Sequence, residues 1–170
     1  MKNKRAEPES NDAAFDLRVN KGILPTIEIA EHTFYVDIRM DKLRPKDDFL
    51  SNGIIFSEIE NYYNDEKQLH IIPYDPKKKE LAKIDDETIT EIPKHLKVIK
   101  IPTLHTLDPI GWNRQQGYDL KTGIEKSGLQ MSFKAKEGTW EDVFMLQQIK
   151  ENIDRIKKSE KTKPILKRKL

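Results

Sequence analysis

The chain has 170 residues, and its 31 lysines and arginines against 29 aspartates and glutamates give a formal net charge of +2. This length fits one domain with a sizeable core. No stretch approaches the ~18 consecutive apolar residues of a bilayer-spanning helix, which excludes a protein that spans the membrane with such helices. The lack of cysteine excludes disulfide scaffolds, thiolate metal sites and cysteine nucleophiles. The N-terminus has no apolar signal-peptide core, so we expect a cytoplasmic protein.

The chain divides by composition into a polar start, a patterned body and a basic end. Residues 1–22 are too polar to offset the entropy of ordering, so we expect a largely disordered N-terminal segment. Within it, alternating apolar residues predict an edge strand over Phe15–Asn20. A single α+β domain is expected over residues 23–158, followed by a basic C-terminal tail over residues 159–170.

Short apolar runs with a period of two fill the middle of the chain. In one of them Phe34 and Val36 share a face that Tyr35 does not, which is typical of a half-buried strand. The close spacing of these runs favours an antiparallel meander of about five to seven strands over βαβ units. The predicted strands are Thr26–Ala30, Thr33–Met40, Gly53–Ile59, Gln68–Tyr74, Glu80–Ile84, Thr88–Ile92, Leu96–Ile101 and Leu129–Lys136.

Asp108 and Pro109 predict the start of a short helix, because aspartate caps exposed amides and proline suits the first helical turn. Gly117 predicts its end. A further helix over Asp119–Ser127 would complete the outline of a DNA-binding helix-turn-helix. Alternatively, Trp112 fills the core and the glycine merely ends a helix.

A long helix is predicted from Thr139 to about Lys158. Because Trp140, Val143 and Phe144 lie opposite its apolar stripe, we expect the start of the helix to be buried nearly all round. The one-sided stripe would pack on the sheet or on a second copy, which permits a homodimer. The stripe consists of Met145, Leu146, Ile149, Ile153 and Ile156.

The C-terminal segment is the clearest departure from charge balance. Residues 147–170 hold nine basic and three acidic residues, a net +6, whereas the rest of the chain holds 22 and 26, a net −4. Such clustering favours nucleic-acid binding through counterion release. Alternatively, it is a solvated helix end whose lysines complement the helix dipole. The candidate binding residues here are Lys157, Lys158, Lys161, Lys163, Lys167, Arg168 and Lys169.

Trp112, Arg114 and Tyr118 form a second candidate binding group, because aromatic residues and arginine are favoured at binding hot spots. The chain lacks glycine-rich phosphate loops, hydrolase elbows and metal-ligand spacing of its histidines, so we expect no metal, no cofactor and no enzymatic activity. The leading hypothesis is a non-enzymatic protein-interaction or accessory module with an unidentified protein partner. The alternative is a nucleic-acid-binding accessory protein that uses the basic tail.

The stretches Ile23–Asp48 and Ile101–Trp112 resemble small uncharacterised proteins of bacterial mobile genetic elements. The resemblance covers roughly the middle of the chain and includes no catalytic motif. It implies a bacterial accessory factor and assigns no role to any residue.

Overall fold

The structure, a computed structural model, describes residues 13–124 and 128–168, and side chains as far as residue 161. It begins with a helix, α1, at residues 13–19, so the edge strand predicted over Phe15–Asn20 is wrong. Phe15 and Val19 are one helical turn apart and both half-buried, a spacing that suits a helix as well as a strand. Residues 1–12 of the segment expected to be disordered lie outside the described residues.

The first sheet is built mainly from consecutive hairpins. Its strand order is β4-β3-β2-β1-β9, and every pairing is antiparallel except that of β1 with β9. β9 is the edge strand beside β1. It comes from much later in the chain and is not joined to β1 by a hairpin. The strands are β1 (Thr26–Ile29), β2 (His32–Asp37), β3 (Lys42–Pro45), β4 (Ile54–Ile55) and β9 (Ser132–Lys134).

The second sheet is antiparallel throughout, with the order β10-β8-β6-β5 and β7 paired to β6. In its centre β6 pairs with β8 over six residues, from Leu69 opposite Pro102 to Tyr74 opposite Lys97. The strands are β5 (Tyr63–Asn64), β6 (Leu69–Asp75), β7 (Glu80–Leu81), β8 (Lys97–Pro102) and β10 (Lys136–Glu137).

One hydrophobic core joins the two sheets. Phe34 of the first sheet meets Tyr74 of the second edge-to-face, with ring centroids 6.4 Å apart. The other face of the second sheet has its own cluster, in which Ile71 and Val98 pack against Met145. The second sheet is therefore buried on both faces, which makes it the centre of the molecule.

Two predicted strands are replaced by other structure. Gly53–Ile59 is extended only at β4, and then turns into helix α2 (Phe56–Ile59) and a 3₁₀ turn (Glu60–Tyr62), because Phe56 and Ile59 reach the core at helical spacing. Thr88–Ile92 is a loop. There Asn152 Nδ2 donates to the carbonyl of Ile89 at 2.7 Å, so a side chain takes the place of a neighbouring strand.

The short helix predicted at Pro109–Gln116 is confirmed as α4, and Gly117 ends it at a φ of +75°. It follows helix α3 (Leu104–Leu107). The helix predicted over Asp119–Ser127 is wrong where the structure describes it, because residues 119–124 form turns and residues 125–127 are not described. Asn113 Nδ2 holds these turns by donating to two of their carbonyls. The helix-turn-helix interpretation therefore fails.

The long C-terminal helix is confirmed as α5 (Met145–Arg168), preceded by a 3₁₀ turn that the Thr139 capping box begins. It extends beyond the end predicted at Lys158. Its start is not buried all round, because the neighbouring Phe144 is 90% exposed. Residues 154–161 are all exposed, so α5 leaves the body after about two turns.

The predicted α+β class is confirmed. The described residues form ten strands in two sheets, more than the five to seven expected, because half of these strands are only two or three residues long. Strands of that length leave too few residues for an alternating pattern to be recognised.

Candidate interaction site

The structure does not bring the candidate residues of α4 together. Trp112 and Arg114 are two positions apart, which separates them by about 200° around the helix axis. Trp112 is half-buried and meets the His105 ring edge-on at 6.2 Å, whereas Arg114 is exposed on the opposite side. Tyr118 follows the end of the helix and is 56% exposed. The three side chains therefore belong to different surfaces.

Trp112 lines a small cleft of about 240 Å³ together with His70 and His105. The His70 ring lies 5.3 Å from that of Tyr63, and its Nδ1 atom is buried without a hydrogen-bond partner in the described structure. Burial lowers the pKa of His70, which favours the neutral imidazole. Across the described residues no three histidine or carboxylate side chains converge as a metal site would require.

Arg114 lines a larger cleft of about 610 Å³, which we call the α1–α4 cleft. One wall is α1 with the turn that follows it, the second is the turn after β2, and the third is α4. Three arginines contribute to these walls: Arg18, Arg39 and Arg114. Only the last of them stood among the candidate binding residues.

One of the lining residues of this cleft, Arg18, belongs to a buried ion pair. Arg18 Nε donates to Asp108 Oδ1 at 2.9 Å, and Arg18 Nη2 donates to Asp108 Oδ2 at 2.7 Å. Arg18 is 6% exposed and Asp108 is fully buried. A Cβ atom on Gly111 would lie 2.3 Å from Asp108 Oδ2, so glycine at this position leaves the space that the carboxylate occupies. The pair ties α1 to the start of α4.

The second surface is the Phe49 loop, defined as residues 46–53 between β3 and β4. Asp48 Oδ1 accepts from the backbone amides of Leu50 and Ser51, and Asp48 Oδ2 accepts from Lys79 Nζ at 3.1 Å. The hydrogen bond from Lys79 and those from the two amides hold the pKa of Asp48 below its usual value. The carboxylate therefore fastens the loop both to itself and to the second sheet.

Further contacts fix the remainder of the Phe49 loop. Ser51 Oγ donates to the carbonyl of Lys78 at 2.6 Å, and the amide of Asn52 donates to Glu80 Oε2 at 2.9 Å. Gly53 has a φ of +72°, and a Cβ there would lie 2.2 Å from the carbonyl oxygen of Leu43. Glycine is thus required for the close return of the loop to β3.

At the tip of this well-anchored loop, Phe49 is 94% exposed and Leu50 is 96% exposed. A search for alternating apolar residues does not reveal this pair, because the loop has no alternating pattern. A signal was present, since two adjacent large apolar residues stand between residues that form turns: Asp47, Asp48, Ser51, Asn52 and Gly53.

The third surface is the exposed part of α5. The side chains of Lys157, Lys158 and Lys161 are exposed, and residues 153–168 hold seven basic and two acidic residues, a net +5. The other candidates of the tail lie where side chains are not described. Lys163, Lys167 and Arg168 belong to the helical backbone, and Lys169 lies outside the described residues.

No protein-family model matches the chain, and neither a curated protein nor a solved structure shows significant similarity to it. Among the described helices, none has the length and apolar character needed to cross a membrane.

Proposed function

We propose that the chain is a non-enzymatic interaction module that binds a protein partner through the Phe49 loop. The observation that carries the proposal is the exposure of Phe49 and Leu50 on a loop that is held by hydrogen bonds within itself and to the β6–β7 turn and β7 of the second sheet. Large exposed apolar groups that form a patch commonly mark interaction sites. As part of the same proposal, the protein is a cytoplasmic bacterial accessory factor.

The anchoring of the loop favours binding for an energetic reason. Complete burial of a phenylalanine or leucine side chain contributes about 1.5–3 kcal/mol each. A flexible loop would lose part of this gain to conformational entropy on binding, whereas a pre-organised loop loses less. The loop is already ordered in the folded protein by Asp48, Ser51 and Gly53. Phe49 and Leu50 can therefore insert into a pocket with little further loss of backbone entropy.

The surroundings of the tip indicate the chemistry of the partner. Lys46 is the exposed first residue of the Phe49 loop, and the exposed Lys77 and Lys78 lie on the turn to which Ser51 is hydrogen-bonded. A partner surface that matches the loop would be an apolar pocket with an acidic rim. In that arrangement the pocket supplies affinity, and the rim supplies orientation and a faster encounter.

The test compares three forms of the full chain: wild type, Phe49→Ala/Leu50→Ala and Met40→Ala/Tyr118→Ala. The last is a matched control, because Met40 and Tyr118 are also exposed apolar residues. Met40 lies in the turn between β2 and β3, whereas the Phe49 loop follows the other end of β3. Each form is immobilised and the proteins retained from a host-cell lysate are quantified. The affinity of a retained protein is then measured with purified components.

We expect a partner that binds wild type and the control equally and binds the loop variant at least about thirtyfold more weakly, the effect of losing ~2 kcal/mol. Equal binding by all three forms would refute the proposal. So would loop-dependent binding to anionic lipid vesicles alone, or loop-dependent self-association in light scattering. Those results would assign the loop to a membrane surface or to a second copy of the chain.

A second candidate function is nucleic-acid binding by α5, favoured by the net charge of +5 on residues 153–168 of a helix that leaves the body. Continuous helical backbone would present these charges in a fixed array. Lys157→Gln/Lys158→Gln/Lys161→Gln should weaken binding to a DNA duplex and reduce the salt slope by about 0.9 per lost contact. Binding that does not depend on salt, or an unchanged slope in the variant, would count against this function.

A further inference from the structure

The α1–α4 cleft contains more positive charge than its own carboxylates neutralise. Arg39 and Arg114 are exposed, and their guanidinium groups make no hydrogen bond or ion pair with any residue that the structure describes. Arg18 is paired with Asp108 through Nε and Nη2, which leaves its Nη1 amino group without a hydrogen bond inside the described chain. Three arginines thus line one cavity.

The one carboxylate in the lining does not compensate these arginines. Asp37 is buried and accepts hydrogen bonds from the backbone amide of Met40 at 3.2 Å and from Arg44 Nε at 3.4 Å. Its charge is therefore already paired with Arg44 on the neighbouring strand. The net effect of the walls is two uncompensated positive charges, those of Arg39 and Arg114.

Apart from Gln115, the remaining lining residues of the cleft are apolar or small. Val19, Leu24 and Ile38 line it, and Gly22 leaves open space where a side chain would stand. The volume of about 610 Å³ is typical of pockets that hold small molecules. Such a cavity suits a ligand with an anionic end and an organic part.

We infer that the α1–α4 cleft binds a small organic phosphate monoester, with its phosphoryl group between Arg39 and Arg114 and its organic part against Val19 and Ile38. The planar fork of a guanidinium group matches phosphate oxygens in bidentate hydrogen bonds. A phosphate monoester carries a charge close to −2 at neutral pH, which would neutralise the two uncompensated positive charges of the cleft. Arg18 is a positioning residue that connects two of the three walls.

The test is calorimetric titration of the full chain with inorganic phosphate, adenosine 5′-monophosphate and adenosine at fixed ionic strength. The variant Arg39→Gln/Arg114→Gln removes the two uncompensated charges. The matched control, Lys83→Gln/Lys94→Gln, removes the same amount of charge from exposed positions between β7 and β8. Unfolding midpoints of all forms verify that these exposed substitutions leave the fold intact.

We expect saturable binding of adenosine monophosphate that is tighter than that of phosphate or adenosine. The arginine variant should weaken it at least about tenfold, the effect of losing charge-assisted hydrogen bonds, while the control stays within about twofold of wild type. Several results would overturn the inference: no saturable binding up to ~10 mM, equal affinity for the nucleotide and adenosine or for the nucleotide and phosphate, or an equal loss in the control. Loss of duplex DNA binding in the arginine variant with nucleotide binding intact would also overturn it, because it would assign these arginines to a nucleic-acid surface.

Discussion

Replacement of Arg18 by alanine should be among the most destabilising single changes on this surface of the protein. The substitution leaves Asp108, which is fully buried, without the two hydrogen bonds that balance its charge. Removal of one partner from a buried ion pair costs about 3–5 kcal/mol. A loss of that size is a large fraction of the stability of a domain of this size, which is typically about 5–15 kcal/mol.

The reverse substitution, Asp108→Ala, should cost less, about 1–3 kcal/mol. Arg18 lines the α1–α4 cleft, so water entering the cleft can hydrate the guanidinium group after its partner is lost. The double variant should then be less destabilised than the sum of the two single variants, because neither charge remains to be buried alone.

The assay is urea unfolding followed by circular dichroism, with the free energy of unfolding taken from the midpoint and slope. Lys21→Ala serves as the control, since it removes only the exposed ion pair with Asp16 at 3.7 Å and should change stability by less than about 0.5 kcal/mol. An Arg18→Ala variant that unfolds at the same urea concentration as wild type would refute the docking of α1 by this pair.

Two further predictions concern the attachment of α5. The hydrogen bond from Lys67, with those from Thr139, lowers the pKa of Asp142 to about 2, so its contribution to stability is present above pH ~4 and lost as the pH falls towards 2. Melting temperatures of wild type and Asp142→Asn should therefore differ at neutral pH and converge near pH 2, and an equal difference at both pH values would contradict this. Asn152→Ala should cost about 1–3 kcal/mol in urea unfolding, because it leaves carbonyls of the loop at residues 84–92 without donors; an unchanged midpoint would show that the loop is held by its apolar contacts alone.

The elements that sequence patterns predicted correctly are those with strong local signals. Helix α4 begins at Pro109 and ends before Gly117, as expected. The side chains of β6 alternate between the two hydrophobic clusters, with Ile71 in one and Ile72 in the other. The charge asymmetry of the C-terminal segment also belongs to the sequence alone, and within the described side chains of α5, Lys157, Lys158 and Lys161 are exposed.

The errors arise where distant residues determine local structure. The polarity of the first 22 residues concealed α1, which docks through a contact between Arg18 and Asp108, 90 positions apart. Thr88–Ile92 has the pattern of a strand, but a side chain of α5 satisfies its backbone instead. Arg39 and Arg114 share a cleft only because the turn after β2 lies next to α4 in the fold. Local sequence patterns do not predict such a tertiary contact.

Site-specific photocrosslinking tests the proposed protein-interaction function most directly. A benzophenone side chain is placed at position 49 in one form of the full chain and at position 40 in another, and each is irradiated with the partner retained by wild type. The account predicts a crosslinked product from position 49 and none from position 40, because only the Phe49 loop inserts into the pocket. Crosslinking from position 40 alone, or equally from both positions, would contradict it.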